Sequence, residues 1–227
     1  MIKNIVDLLK LESSYRKYLL SQNVAFDDKG NPLFQVSMFL NEWPDTVVPY
    51  SCRNNPALVV DPQKTAICFF TKDSLIYPRL EKVFEELDEY RRFMAVVSMD
   101  LTFTSDMEVE LQRLIITINQ LFTMILAINN IKIILNTRIG SLDCSSAFSN
   151  IPKGVLVSSG FLGCDRLQED NLSYISKILF LFPSKVLIYG KHDPKAEDQL
   201  NRFGFDYRVY ADVHRRTKSK EVCYGRR

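Results

Sequence analysis

From Thr65 onward the chain alternates short β-branched or aromatic runs with stretches of helical character, and this alternation constrains the fold more than any other feature. The runs are Thr65–Phe70, Phe93–Met99, Ile131–Thr137, Gly154–Ser159, Lys185–Tyr189 and Tyr207–Tyr210. Helical segments are expected near residues 78–91, 106–129, 142–149, 167–182 and 195–203. Runs such as Ala95-Val96-Val97 and Ile133-Ile134-Leu135 are apolar at every position, as strands covered on both faces are. The pattern predicts a three-layer α/β fold: a mostly parallel sheet of about six strands with helices on both faces. Two arrangements fit, an open doubly wound sheet and a partial TIM-like barrel. Asp106 is the expected N-cap of the long helix, and Pro183 marks the end of the helix before Lys185.

The first 64 residues read differently. Ile5, Leu8, Leu9, Leu11 and Tyr15 fall near one face of an N-terminal helix. Residues 21–64 are interrupted by Gly30-Asn31-Pro32, Trp43-Pro44, Val48-Pro49 and Asn55-Pro56, which stop regular structure. They are expected to form an irregular arm with one short strand near Phe34–Phe39. The implied organisation is an arm over 1–64, an α/β core over 65–212 and a basic tail over 213–227.

The tail stands out by charge. Residues 202–227 carry eight basic and three acidic side chains, whereas the rest of the chain is mildly acidic and the whole sums to +2. Arg215, Arg216, Lys218 and Lys220 are the candidate contacts for nucleic acid or another polyanion. The five cysteines form no Cys-x-x-Cys pair, and with two histidines no zinc spacing exists. No secretory leader is read at the N-terminus, so free thiols in a reducing cytoplasm are expected. The stretch Leu114–Ile128 is apolar, but Thr117, Asn119, Gln120 and Thr123 interrupt it, as in a buried core helix rather than a membrane span.

In either arrangement ligands bind beyond the carboxyl ends of the strands. Those positions hold Thr71-Lys72-Asp73, then Ser98, Asp100 and Thr102, then Asn136, Thr137 and Arg138. They continue with Ser158, Ser159 and Cys164, then Lys191-His192-Asp193, and finally Asp212 and His214. Asp100 and His192 are the candidate catalytic residues, as general base or acid. Asp73, Asn136, Arg138 and Ser158 are the candidate ligand-binding residues; the planar fork of Arg138 suits a phosphate or carboxylate. Asp73 and Asp100 are a candidate carboxylate pair. The bland alternative for each is a turn or helix cap. The sequence lacks the phosphate loop, the dinucleotide fingerprint and the hydrolase elbow, and names no cofactor.

The segments Phe93–Leu101, Ile131–Gly140 and Ile151-Pro152-Lys153-Gly154…Ser158…Gly163-Cys164 resemble a family of bacteria, phages and mobile elements. It is known as domain of unknown function four-four-one-seven. Val48-Pro49-Tyr50, Phe69-Phe70…Asp73 and Lys185–Gly190 extend the resemblance over about residues 48–190. It implies a mobile-element accessory protein that binds nucleic acid or a host protein. Residues 114–120 lack the arginine-containing polar stretch of the family, which points toward binding rather than catalysis. The alternatives are an enzyme or small-molecule binder acting on a phosphorylated or nucleotide ligand at the strand ends, and a phage anti-defence protein.

Overall fold

The computed structural model describes residues 2–104, 106–138, 142–161, 172–213 and 215–216. His214, Cys164, Lys218 and Lys220 therefore lie outside the described residues.

Seven strands form one sheet: β1 (Thr46–Pro49), β2 (Thr65–Cys68), β3 (Ala95–Val97), β4 (Ile133–Asn136), β5 (Leu156–Phe161), β6 (Lys185–Gly190) and β7 (Asp206–Ala211). Every neighbouring pair is parallel, and the order across the sheet is the order along the chain. A sequential order has no point where the winding reverses, so the doubly wound alternative is not the one taken. Right-handed crossovers then put all helices on one face. The other face closes on itself: Val47, Ala66, Cys68, Ala95, Val97, Ile134, Leu156 and Leu187 form one buried cluster without a helical residue. The result is a nearly closed barrel wrapped by helices, so the expectation of helices on both faces is corrected to one.

Closure requires a stagger between first and last strands. The registers carry Val47 round the sheet to the level of residue 204, ahead of β7. At the seam, however, the Tyr210 hydroxyl donates to the Pro44 carbonyl at 2.7 Å, and Arg216 donates to Thr46 Oγ1 at 2.6 Å and to the Val47 carbonyl. The seam of β1 and β7 is thus bridged by side chains across the stagger of a barrel.

Two expectations are corrected by β1. The strand lies in the segment read as arm, so the sheet begins before Thr65; and residues 36–38 form a 3-10 turn rather than a strand. Pro49 obscured β1 in the sequence, but as the last residue of an outermost strand it leaves no ladder bond unmade.

The helices are α1 (Ile5–Ser21), α2 (Asp73–Glu81), α3 (Leu87–Arg91), α4 (Val109–Ile128), α5 (Ser173–Leu181) and α6 (Pro194–Arg202). Asn4 caps α1 by accepting from the Asp7 amide at 3.1 Å, and Asp193 caps α6 with Pro194 in the first turn. The cap expected at Asp106 is not formed: α4 begins after Glu108, without a side-chain cap bond. Asp106 instead bonds Thr104, which lowers its carboxyl pKa. α4 is apolar around its circumference because it is enclosed by the sheet, α1 and residues 142–148. By length and composition it is long enough to cross a membrane, but 67% of its apolar window is buried within the fold.

Candidate functional site at the carboxyl ends of the strands

The interior of the barrel is filled close to its mouth. Phe70, just past β2, stacks on Tyr189 of β6 with ring centres 5.7 Å apart and planes 14° from parallel. The Phe70 ring also crosses to β5, where a Cβ on Gly160 would lie 2.4 Å from its Cδ1. No side chain fits there, which explains a glycine inside a strand. Beneath this aromatic plug lies Cys68, whose thiol burial pushes up to about 12. Polar chemistry is therefore confined to the rim.

One sector of the rim, at β3, β4 and β5, gathers several of the expected residues. Asn136 ends β4 and is buried; its amide donates to Ser98 Oγ at 2.8 Å and its side-chain Nδ2 to Asp100 Oδ1 at 2.9 Å. Arg138 Nη1 donates to the same carboxylate oxygen at 3.0 Å. The loop carrying Asp100 is fixed in turn by Asn119 of α4, whose Nδ2 donates to the Met99 carbonyl at 3.0 Å. Asp100, Asn136 and Arg138 are thus one network, spanning the ends of adjacent strands. The guanidinium lies 5.9 Å from the centre of the Phe103 ring. Its remaining N–H groups have no partner among the described residues.

Ser158 is the register partner of Asn136 on β5 and is fully buried, with no hydrogen-bond partner for its hydroxyl. A buried hydroxyl left unmatched costs about 1–3 kcal/mol, so a feature of this kind next to a charged network is informative. On the other side of the same strands, Thr137 Oγ1 and Ser159 Oγ share a hydrogen bond of 2.7 Å. Tyr174 of α5 packs edge-on against Phe161 at 5.5 Å.

Other expected residues serve elsewhere. Asp73 opens α2 and accepts from the Thr102 hydroxyl at 2.8 Å and the Thr102 amide at 3.2 Å. It ties two loops together rather than pairing with Asp100. His192 has a side chain 73% exposed and meets Glu197 Oε1 at 3.0 Å, away from the Asp100 network. In the tail, Arg215 pairs with Asp212 at 3.1 Å, and Arg216 is consumed by the seam. Val213 is buried and its amide donates to the Tyr189 hydroxyl at 3.4 Å. Residues 212–213 and 215–216 therefore cover the β6, β7 and β1 side of the mouth.

Sequence reasoning missed Lys177, in the second turn of α5. It is half-buried, and its pKa is lowered, first by burial and then by the charge of Arg138. In the sequence it is a lone lysine within Tyr174-Ile175-Ser176-Lys177-Ile178-Leu179-Phe180, a pattern that by itself marks no site. A separate groove of about 450 Å³ lies between Lys29, Asn31, α4 and residues 146–147. It contains none of the expected residues. Its charges are Lys29 and the pair Glu110 and Arg113, the pair 83% and 45% exposed, so it is an open surface depression.

A scan against protein-family models and searches of curated proteins and of solved structures find no match for the chain.

Proposed function

We propose that the protein binds a small phosphorylated, nucleotide-class ligand at the β3–β5 sector of the barrel mouth. The observation that carries this reading is Arg138, which donates one N–H to Asp100 and whose remaining N–H groups, on a side chain 36% exposed, have no partner among the described residues. Arginine at such a place suits an anion with several acceptor oxygens. Asp100 holds the guanidinium, and Asn136 holds Asp100; the second carboxylate oxygen, without a partner among the described residues, accepts a ligand hydroxyl in this reading. The same carboxylate is placed to act as a general base, so an enzymatic role is a variant of this reading.

Titration calorimetry with AMP, ATP and inorganic phosphate tests it. Binding by the wild type, and its loss in Arg138→Gln with an unchanged melting temperature, is the expected result. A wild type that binds none of the three overturns the reading.

The charge of the tail favours a second reading, the accessory protein that contacts nucleic acid or a host protein, in keeping with the resemblance to the mobile-element family. Salt-sensitive DNA or RNA binding that disappears on deleting residues 217–227 is its test. The deletion spares Arg216, which the seam needs.

A further inference from the structure

The apolar face expected for the N-terminal helix is divided in the structure. Leu8, Leu11 and Tyr15 pack toward the core, and Leu19 joins them one turn on. Ile5 and Leu9, expected on the same face, are instead 52% and 50% exposed, together with Val6 at 51% and Leu20 at 55%. The exposed positions of α1 hold these four aliphatic side chains, two lysines and two serines, and no acid. Its two acids are withdrawn: Asp7 is partly covered and accepts from the Lys3 amide at 2.8 Å, and Glu12, 18% exposed, is bound to Arg16 at 2.7 Å. The exposed lysines are Lys10 and Lys17, and Lys3 stands exposed just ahead of the Asn4 cap, so the three recur every seven residues. Among the described residues none of them forms an ion pair.

At about 100° between successive residues, Ile5, Leu9, Leu20 and Val6 share one side of α1, and Lys17 and Lys10 form the strip directly beside it. A helix facing water ordinarily gives that side to charged residues. An amphipathic helix resting in a membrane interface instead sets aliphatic side chains beside lysines, whose stems follow the apolar surface while the ammonium groups stay among the headgroups. Acids outside α1 stand to either side of this face. Glu81 and Glu85 are exposed near Phe84, whose ring packs on Tyr18 with centres 4.6 Å apart. Asp27 is engaged by the amides of Lys29 and Asn31 in the loop whose Gly30 carbonyl accepts from Arg16 at 2.7 Å. Two α1 faces laid together would join lysines of both copies with no exposed acid of the helix to offset them, so the charge disfavours a second copy.

We propose that α1 docks the protein on an anionic phospholipid membrane, lying along its surface without spanning it. Ile5, Val6, Leu9 and Leu20 enter the headgroup boundary, and Lys3, Lys10 and Lys17 meet the lipid phosphates and carboxylates. The contact is separate from the ligand at the barrel mouth and stands or falls independently of it.

The test is co-sedimentation of the full chain with vesicles of phosphatidylcholine and phosphatidylserine in equal parts, and with vesicles of phosphatidylcholine alone. Binding to the mixed vesicles that weakens with added salt is expected. In the double variant Lys10→Gln, Lys17→Gln it is expected to fall roughly twenty-fivefold, about fivefold per lysine. The double variant Val6→Gln, Leu9→Gln is also expected to bind more weakly, at an unchanged melting temperature. A wild type that ignores the mixed vesicles, or binds phosphatidylcholine alone equally well, overturns the proposal. So does binding that survives in both variants but is lost on deleting residues 217–227, which moves the contact to the tail. Capture of polyglutamate without capture of vesicles assigns the face to an acidic protein instead. Self-association of the wild type in sedimentation velocity, abolished by Val6→Gln, Leu9→Gln, assigns it to a second copy. Should a variant fail to fold, the native protein decides: mixed vesicles are expected to protect Lys10 and Lys17 from acetic anhydride, read by peptide mass spectrometry, and equal labelling with and without vesicles overturns the docking.

Discussion

Two arginines near the barrel mouth show how one residue type is put to opposite uses. Arg216 is drawn into the seam, bonded to Thr46 and to the Val47 carbonyl, and covered with Val213 over the β6, β7 and β1 sector. Arg138, across the mouth, makes one bond to a carboxylate 20% exposed and otherwise has no protein partner among the described residues. The first satisfies a structural demand, because β1 and β7 do not share a backbone ladder. The second satisfies none that the fold requires. An arginine whose donors exceed its protein partners is the better candidate for a ligand, even though the tail, with its clustered charge, draws attention first.

The comparison is sharpest where the fold is tightest. Gly160→Ala is expected to have the largest effect, about 2–3 kcal/mol of lost stability, because the Phe70 ring has no space to retreat between Gly160 and Tyr189. Urea unfolding measures it; a variant as stable as the wild type would mean that the aromatic plug is loose and the mouth deeper than described. Next, Arg216→Ala is expected to cost about 2 kcal/mol, through the loss of bonds donated by a charged group and the carbonyl left without its donor. Arg138→Gln is expected to stay within about 1 kcal/mol of the wild type, since its ion pair is partly exposed. The reverse order in denaturation would exchange the roles assigned to the two arginines.

The contrast between the sectors also explains what was legible in the sequence. Buried strands announce themselves through continuous β-branched runs, and six of the seven did so. β1 escaped because Thr46-Val47-Val48-Pro49 is short and ends in proline. Asp100, Asn136 and Arg138 were readable as strand-end residues once parallel strands were assumed. Lys177 was not, since helical spacing places it among apolar neighbours and only tertiary packing half-buries it. Arg216 was read as a candidate contact for nucleic acid because a seam between first and last strands has no signature in local sequence. Closure is a property of the whole sheet.

Smaller effects follow from the buried acids of the interior. The Cys68 thiol is pushed up to about 12 from 9.0 by burial, and the Tyr174 hydroxyl to about 12 from 10.0, again by burial. A group whose pKa is raised by folding stays protonated in the native state after the unfolded chain has released its proton. Stability is therefore full below pH 9 and falls as the pH rises toward 12. Near pH 10 the loss is expected to be about 1 kcal/mol from Cys68, with a comparable further loss from Tyr15, Tyr90, Tyr174 and Tyr189, whose hydroxyl pKa values burial also raises. Urea unfolding at pH 8 and pH 10 checks the sign, and in Cys68→Ala the pH dependence is expected to shrink. A wild type more stable at pH 10 than at pH 8 would mean that water reaches the space under the plug.

The smallest expected effect is at His192, and it bounds the site. Its imidazole is 73% exposed and, among the described residues, meets Glu197, which also accepts from the Tyr207 hydroxyl at 3.3 Å. Exposed substitutions without further contacts generally change stability by less than about 0.5 kcal/mol. His192→Ala is accordingly expected to leave both the urea midpoint and phosphate binding unchanged. Binding weakened by this variant at unchanged stability would carry the ligand past β5 to the end of β6. The ligand would then reach the sector that Val213 and Arg216 cover, and the division between a structural and a binding half of the mouth would have to be redrawn.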